Sequence, residues 1–257
     1  IQDRLADEAY MLSQVQHPNV PRYITYQVVK KQGILMMQRG KGMDLEHYSL
    51  KHGRLTARLL INIACQLADV LLALRSHVKD GELIPIVHGD VKPSNLVFDE
   101  QSGLVSLIDW GSSVFAQLDA QGQYLSNNVM QLMSADLHSS NARMGDVYFI
   151  GAEQRSGALS SPRFDEQGVA GTLYALASGQ SCRFGRKALP ARSLGLPVEF
   201  ATLLDSMLAD DAQLRAQAGD YFLQQMPRLK QLVLPALPLF DDIPKLTVWV
   251  SPEVREL

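Results

Sequence analysis

The stretch IVHGDVKPSNLVFDEQSGLVSLIDWGSS, residues 86–113, decides how the rest of the chain is read. An apolar approach (Ile86, Val87) enters a polar loop from His88 to Asn95, followed by a strand (Leu96 to Asp99), a turn at Gln101 to Gly103 and a second apolar strand (Leu104 to Ile108). Such a hairpin gathers Asp90, Asn95 and Asp109 at its end. Mg²⁺ is a hard ion that takes oxygen ligands, usually one or two carboxylates with phosphate oxygens, so Asn95 and Asp109 are apt metal ligands. Asp90 is left to accept a proton from an attacking hydroxyl or to orient it. Lys92 can neutralise charge developing on a transferred phosphoryl group.

Bulk properties narrow the setting. With 257 residues, 46% of them hydrophobic, the chain can bury a sizeable core as one large domain or two small ones. A net charge of -3 and a pI near 6.1 leave no basic footprint for nucleic acid. Two cysteines, Cys65 and Cys182, give no disulfide framework, which suits a reducing, cytoplasmic setting. The run LVLPALPLF (Leu232 to Phe240) is broken by Pro235 and Pro238, so membrane insertion by this segment is not expected. The composition is silent on oligomeric state.

The loop HGDVKPSN (His88 to Asn95) and the tripeptide DWG (Asp109 to Gly111), with a strand pair between them, resemble the catalytic loop HRDxKxxN and the DFG motif of protein kinases. Further motifs follow in family order. Leu5, Ala9, Leu12 and Val15 lie at helical spacing over residues 2–16, and HPN (His17 to Asn19) stops the helix. DEAYMLSQVQHPNV resembles the kinase helix whose glutamate pairs with a lysine on the third strand. That resemblance gives the role to Glu8, with Leu12 in the apolar spine joining the lobes. Strand-like runs at Tyr23 to Val29 and Ile34 to Met37, split by KKQG, lead into QRGKGMDLEHY, which is similar to the hinge. By the same resemblance Met37 is the gatekeeper, main-chain groups of Gln38 and Gly40 face adenine, and Val97, Ile108 and Glu8 complete the nucleotide site.

Ala57 to His77 reads as an amphipathic helix, with Leu60, Ala64, Leu67, Leu71 and Leu74 on one side, followed by a surface loop at Val78 to Pro85. Ser112 to Arg143 lose periodicity where kinases keep the activation segment, and GDVYFIGAEQ (Gly145 to Gln154) resembles that segment's end. Residues 165–179 look like the helix that keeps a buried aspartate, here Asp165, beneath the catalytic loop. MLADDAQLR (Met207 to Arg215) is similar to the stretch whose arginine pairs with the glutamate of the segment's end, which predicts a Glu153–Arg215 ion pair.

The implied fold is α+β, a two-lobe kinase-like architecture. Residues 1–40 form a partial small lobe, 41–230 a mainly helical large lobe, and 231–257 a tail of no recognised pattern. The implied function is ATP-dependent phosphoryl transfer to protein Ser or Thr with Mg²⁺ or Mn²⁺. KPSN after Asp90 favours Ser/Thr over Tyr, and HGD suggests a bacterial, eukaryotic-like kinase.

Three departures bear on that implication. No glycine-rich loop or third-strand lysine occurs, since the chain opens on Ile1 inside a helical pattern. Either those strands precede the sequence given, or the natural protein lacks them and is a pseudokinase, a scaffold docking a partner. Gly89 replaces the arginine that meets an activation-segment phosphate, so activity is expected not to depend on phosphorylation there. Asp146 stands where Ser/Thr kinases carry a threonine; it can bind Lys92, but its charge faces Asp90. A small-molecule kinase of the aminoglycoside or choline type shares HGD and an IDW-like motif, but not Lys92, AEQ or the buried-aspartate helix in this form.

Overall fold

Two small antiparallel sheets hold the polar loop at its two ends, and the rest of the architecture supports that suspension. The structure, a computed structural model, describes residues 2–125, 145–179 and 189–233. Much of the aperiodic segment Ser112 to Arg143, Cys182 and most of the tail lie outside the described residues.

Helix α1 (Gln2–Ser13) packs on a hairpin of β1 (Tyr23–Val29) and β2 (Gln32–Met37). It stops three residues short of the expected 16, where its last turn leads into His17 to Asn19. The hairpin turn is tighter than KKQG implies. Val29 pairs with Gln32, leaving Lys30 and Lys31 at φ 49° and 65°, left-handed positions that Asn-Gly usually fills. Strand β3 (Met43–Asp44) then leads into α2 (Leu45–His52), where Asp44 Oδ1 accepts the His47 N–H at 2.9 Å as an N-cap.

Helix α3 (Ala57–Arg75) is capped by Thr56 and ends two residues before the expected His77. By length and composition alone it passes for a membrane-spanning helix, a test that a buried core helix also meets. Its face of Leu60, Ala64, Leu67, Leu71 and Leu74 is instead buried in the core. Val78 to Pro85, expected as a plain loop, carries a small hairpin of β4 (Val78–Lys79) and β5 (Glu82–Leu83) around Asp80-Gly81, both at positive φ. Lys79 Nζ there donates to the Tyr10 hydroxyl of α1 at 2.5 Å and sits 5.3 Å from that ring and 5.4 Å from Phe115.

Strand β6 (Ile86–Val87) pairs with β9 (Val114–Phe115), while β7 (Leu96–Asp99) lies between β3 and β8 (Leu104–Leu107). Residues 88–95 are slung between these two sheets. Beneath them run α4 (Ala152–Arg155), α5 (Arg163–Ser178), α6 (Val198–Met207) and α7 (Ala212–Val233), the last extending past residue 231 where the tail was set. A single apolar cluster joins Leu12 of α1, Trp110 and the inner faces of α3, α5, α6 and α7. Each large aliphatic side chain fully buried there contributes about 1.5–3 kcal/mol.

One polar cluster crosses the large lobe. Arg75 of α3 meets Glu166 of α5 at 3.4 Å and Asp220 of α7 at 2.6 Å. Arg163 meets the same two carboxylates at 2.8 and 3.1 Å and donates to the carbonyls of Ala120 and Ala216. Burial pushes the Glu166 carboxyl up, against the pull of both arginines. Gly219 makes room for it, since a Cβ there would lie 2.0 Å from Glu166 Oε2.

Candidate active site

The loop's shape begins at its main chain. Gly89 takes φ 81°, a left-handed value that glycine adopts without strain. Its N–H donates to Asp165 Oδ1 at 2.8 Å, and the His88 N–H donates to Asp165 Oδ2 at 2.7 Å. Asp165 thus sits under the loop where the sequence placed it. The same face of α5 also carries Gly168, packed beneath Val91, and Thr172, whose hydroxyl donates to the Val91 carbonyl at 3.2 Å. This 165, 168, 172 spacing is one helical face and was open to reading from the sequence.

His88 is fully buried, edge-on to Trp110 at 5.0 Å. Its Nδ1 accepts the Asp90 N–H at 3.3 Å, so Nε2 carries the proton and donates to the Ile108 carbonyl at 3.2 Å. Burial drives its pKa from 6.5 down to about 4. Because the folded pKa is depressed, the unfolded chain takes up the proton first as pH falls from 6.5 to 4. Stability worth about 3 kcal/mol is lost across that window. Denaturant titrations at steps of pH should show this loss in the wild type relative to His88→Gln, and equal slopes for the two would remove histidine from the account.

Asp90 is held by three donors. Asp146 N–H reaches Oδ1 at 2.8 Å, while Asn95 Nδ2 and Lys92 Nζ reach Oδ2 at 3.0 and 2.9 Å. The expected confrontation between Asp146 and Asp90 resolves differently. Asp146 presents its main-chain N–H to Asp90 and turns Oδ1 to the Tyr148 N–H at 3.0 Å, leaving Oδ2 3.9 Å from Lys92. The preceding residue must be glycine, since a Cβ on Gly145 would lie 2.4 Å from the Gly89 carbonyl oxygen and 2.9 Å from Asp90 Oδ1. Sequence reasoning missed Gly145; the GD dipeptide was the only signal.

Asn95 donates its amide N–H groups to the Asp90 carbonyl and carboxylate, at 2.9 and 3.0 Å, which leaves its side-chain oxygen as the atom able to take a cation. Asp109 stands at φ 63° on the wall of an open cleft of about 790 Å³. Glu8, Met37, Gln38, Gly40, Val97 and Ile108 line the same cleft. The Gln38 N–H bonds the Arg22 carbonyl at 2.9 Å, so its carbonyl is the main-chain group left to face a ligand. Gly40 lies over Val97 and Ile108, within 3.7 Å of a virtual Cβ. Glu8 approaches Asp109 and receives the Trp110 N–H; burial first, then the Asp109 charge, raise its pKa. An amide oxygen and a carboxylate beside a cleft form a hard donor set that fits Mg²⁺ or Mn²⁺.

The end of the segment closes on this loop. Gln154 Nε2 donates to the Gly89 carbonyl at 2.7 Å, Gln167 Nε2 donates to Glu153 Oε2 at 3.1 Å, and the expected pair of Glu153 with Arg215 forms.

Comparison with known families accords with this geometry: a model of the protein kinase domain matches residues 1–224. The chain belongs to the protein kinase family. Among curated kinases, it is 25% identical over 179 residues to serine/threonine-protein kinase PrkC of Bacillus subtilis, covering 69% of this chain and 24% of that protein. It is 27% identical over 158 residues to serine/threonine-protein kinase ATG1b of Arabidopsis thaliana, covering 58% and 21%. A 112-residue match at 33% identity is to the human SNF-related serine/threonine-protein kinase, covering 42% and 14%. The chain thus spans about a fifth to a quarter of the length of the first two of these kinases. The α+β kinase architecture expected from the sequence is the one the structure has.

Proposed function

We propose that this kinase transfers the γ-phosphoryl group of ATP to a serine or threonine hydroxyl of a protein. The reading is carried by the Asp90 carboxylate, fixed by Asp146 N–H, Asn95 and Lys92 within one loop, beside the cleft that Asp109 lines. In that geometry Asp90 orients the acceptor hydroxyl and takes its proton as the new O–P bond forms and the bond to ADP breaks. Lys92 lies beside the transferred group and offsets its charge. The Gln38 carbonyl and Gly40 main chain bind the adenine edge over Val97 and Ile108, with Met37 at the back. Asn95 and Asp109 would hold Mg²⁺ or Mn²⁺, which when bound neutralises phosphate charge. Cys65, a free and partly buried thiol, accords with action in the cytoplasm.

The full-length protein, given γ-labelled ATP and Mg²⁺, is expected to label seryl or threonyl residues of a generic protein substrate. Label on choline or an aminoglycoside but not on protein would replace this reading with small-molecule transfer. The alternative reading is a pseudokinase that serves as a scaffold. Nucleotide binding without transfer would favour it. Alanine at Ser126, Ser134, Ser139 and Ser140 together is expected to leave transfer within about twofold of wild type, because Gly89 offers a phosphate no charge. Abolished turnover in that variant, with the fold intact, would reverse this point.

A further inference from the structure

We propose that Gln154 is a positioning residue for Asp90, setting it through the Gly89–Asp90 peptide by a neutral hydrogen bond. The proposal rests on the reading of Asp90 as the base. Three observations lead to it. The side chain of Gln154 is buried, and its amide donates at 2.7 Å to the Gly89 carbonyl, which belongs to the peptide plane of Asp90 itself. The main chain just before that plane is pinned from below, where Asp165 accepts the N–H groups of His88 and Gly89. On the segment side, the Gly89 carbonyl also abuts Gly145, and the next residue supplies the N–H that Asp90 Oδ1 accepts.

Gln154 and Asp146 therefore grip the same residue from one segment, one by its peptide and one by its carboxylate. Both contacts are made by uncharged N–H donors, so the clasp needs neither the arginine that Gly89 replaces nor a phosphate to meet it. Without the Gln154 amide a buried carbonyl loses its partner, the peptide is free to tilt, and the carboxylate moves off its donors.

The test uses the full-length protein with ATP, Mg²⁺ and the protein substrate. Gln154→Met keeps the volume and removes the donor. It is expected to lower kcat at least about tenfold while KM for ATP stays within about twofold, because the cleft lies apart from α4. A purely structural role would change the folded fraction, not this split. Gln154→Glu is the conservative rescue: protonated it can donate to the Gly89 carbonyl, and ionised it cannot. Its kcat should approach wild type at low pH and fall as pH rises, unlike that of Gln154→Met. Unchanged kcat in folded Gln154→Met, or Gln154→Glu tracking Gln154→Met at every pH, would overturn the proposal. If the wild type binds ATP and transfers nothing, the transfer reading fails by itself. Positioning is then read from amide exchange at Asp146: about tenfold faster exchange in Gln154→Met supports it, and an unchanged rate overturns it.

Discussion

Replacing Asp90 by asparagine is expected to slow phosphate transfer by about 10²–10⁴-fold, the usual worth of a positioned general base, while ATP binding with Mg²⁺ stays within about twofold of wild type. Asparagine keeps the outline of the side chain but loses the ability to take the hydroxyl proton. It also turns an NH₂ group toward donors, since Asp146 N–H, Asn95 Nδ2 and Lys92 Nζ all point at this carboxylate. None of the three lies on the face where Gln38, Gly40, Val97 and Ile108 line the cleft, so the adenine contacts, which carry most of the binding, are insulated from the change. Single-turnover transfer and equilibrium nucleotide binding, measured side by side, separate the two effects. Equal transfer rates for the two proteins would remove Asp90 from the chemistry.

Asp165→Ala carries the largest expected loss of stability. It strands the N–H groups of His88 and Gly89 in a buried site, and each unpaired buried donor costs about 1–3 kcal/mol. The denaturation midpoint reads the loss; an unchanged midpoint would mean the loop finds other partners. The same residue shapes the response to pH. Burial pushes its pKa from 3.8 up to about 7, against the pull of the Gly89 and His88 N–H groups. Between those values the unfolded chain has already lost the proton that the folded one keeps, so this residue makes stability fall as pH rises from 3.8 to 7. His88 acts with the opposite sign over nearly the same range. Wild type should therefore have a flatter profile than either variant: Asp165→Ala should gain stability as pH rises from 4 to 6.5, and His88→Gln should lose it. Parallel profiles for all three would contradict the assignment of these groups.

How much was legible follows from how local each signal is. The hairpin between His88 and Asp109, the α3 stripe and the aspartate under the loop are written in periodicity or in short motifs, and each stands where the sequence put it. The Asp80-Gly81 turn was equally local and was passed over, because two-residue strands carry no alternation to read. Asp146 does approach Lys92 as expected, but its contact with Asp90 was misread for another reason. Its side chain suggested charge repulsion, whereas the working contact is a main-chain N–H that any residue but proline supplies, made possible by Gly145. The cluster of Arg75, Arg163, Glu166 and Asp220 lay beyond local reading altogether, since Arg75 and Asp220 are 145 residues apart and meet only once three helices have packed.

That cluster governs how the large lobe comes apart. Glu166 has two arginines for its charge and almost no solvent, so peeling α7 away takes Asp220 from both and leaves the remaining ions mismatched in a low-dielectric interior. Helix α7 is thereby denied independent fraying, and the amides of α3, α5 and α7 should open together as one cooperative unit.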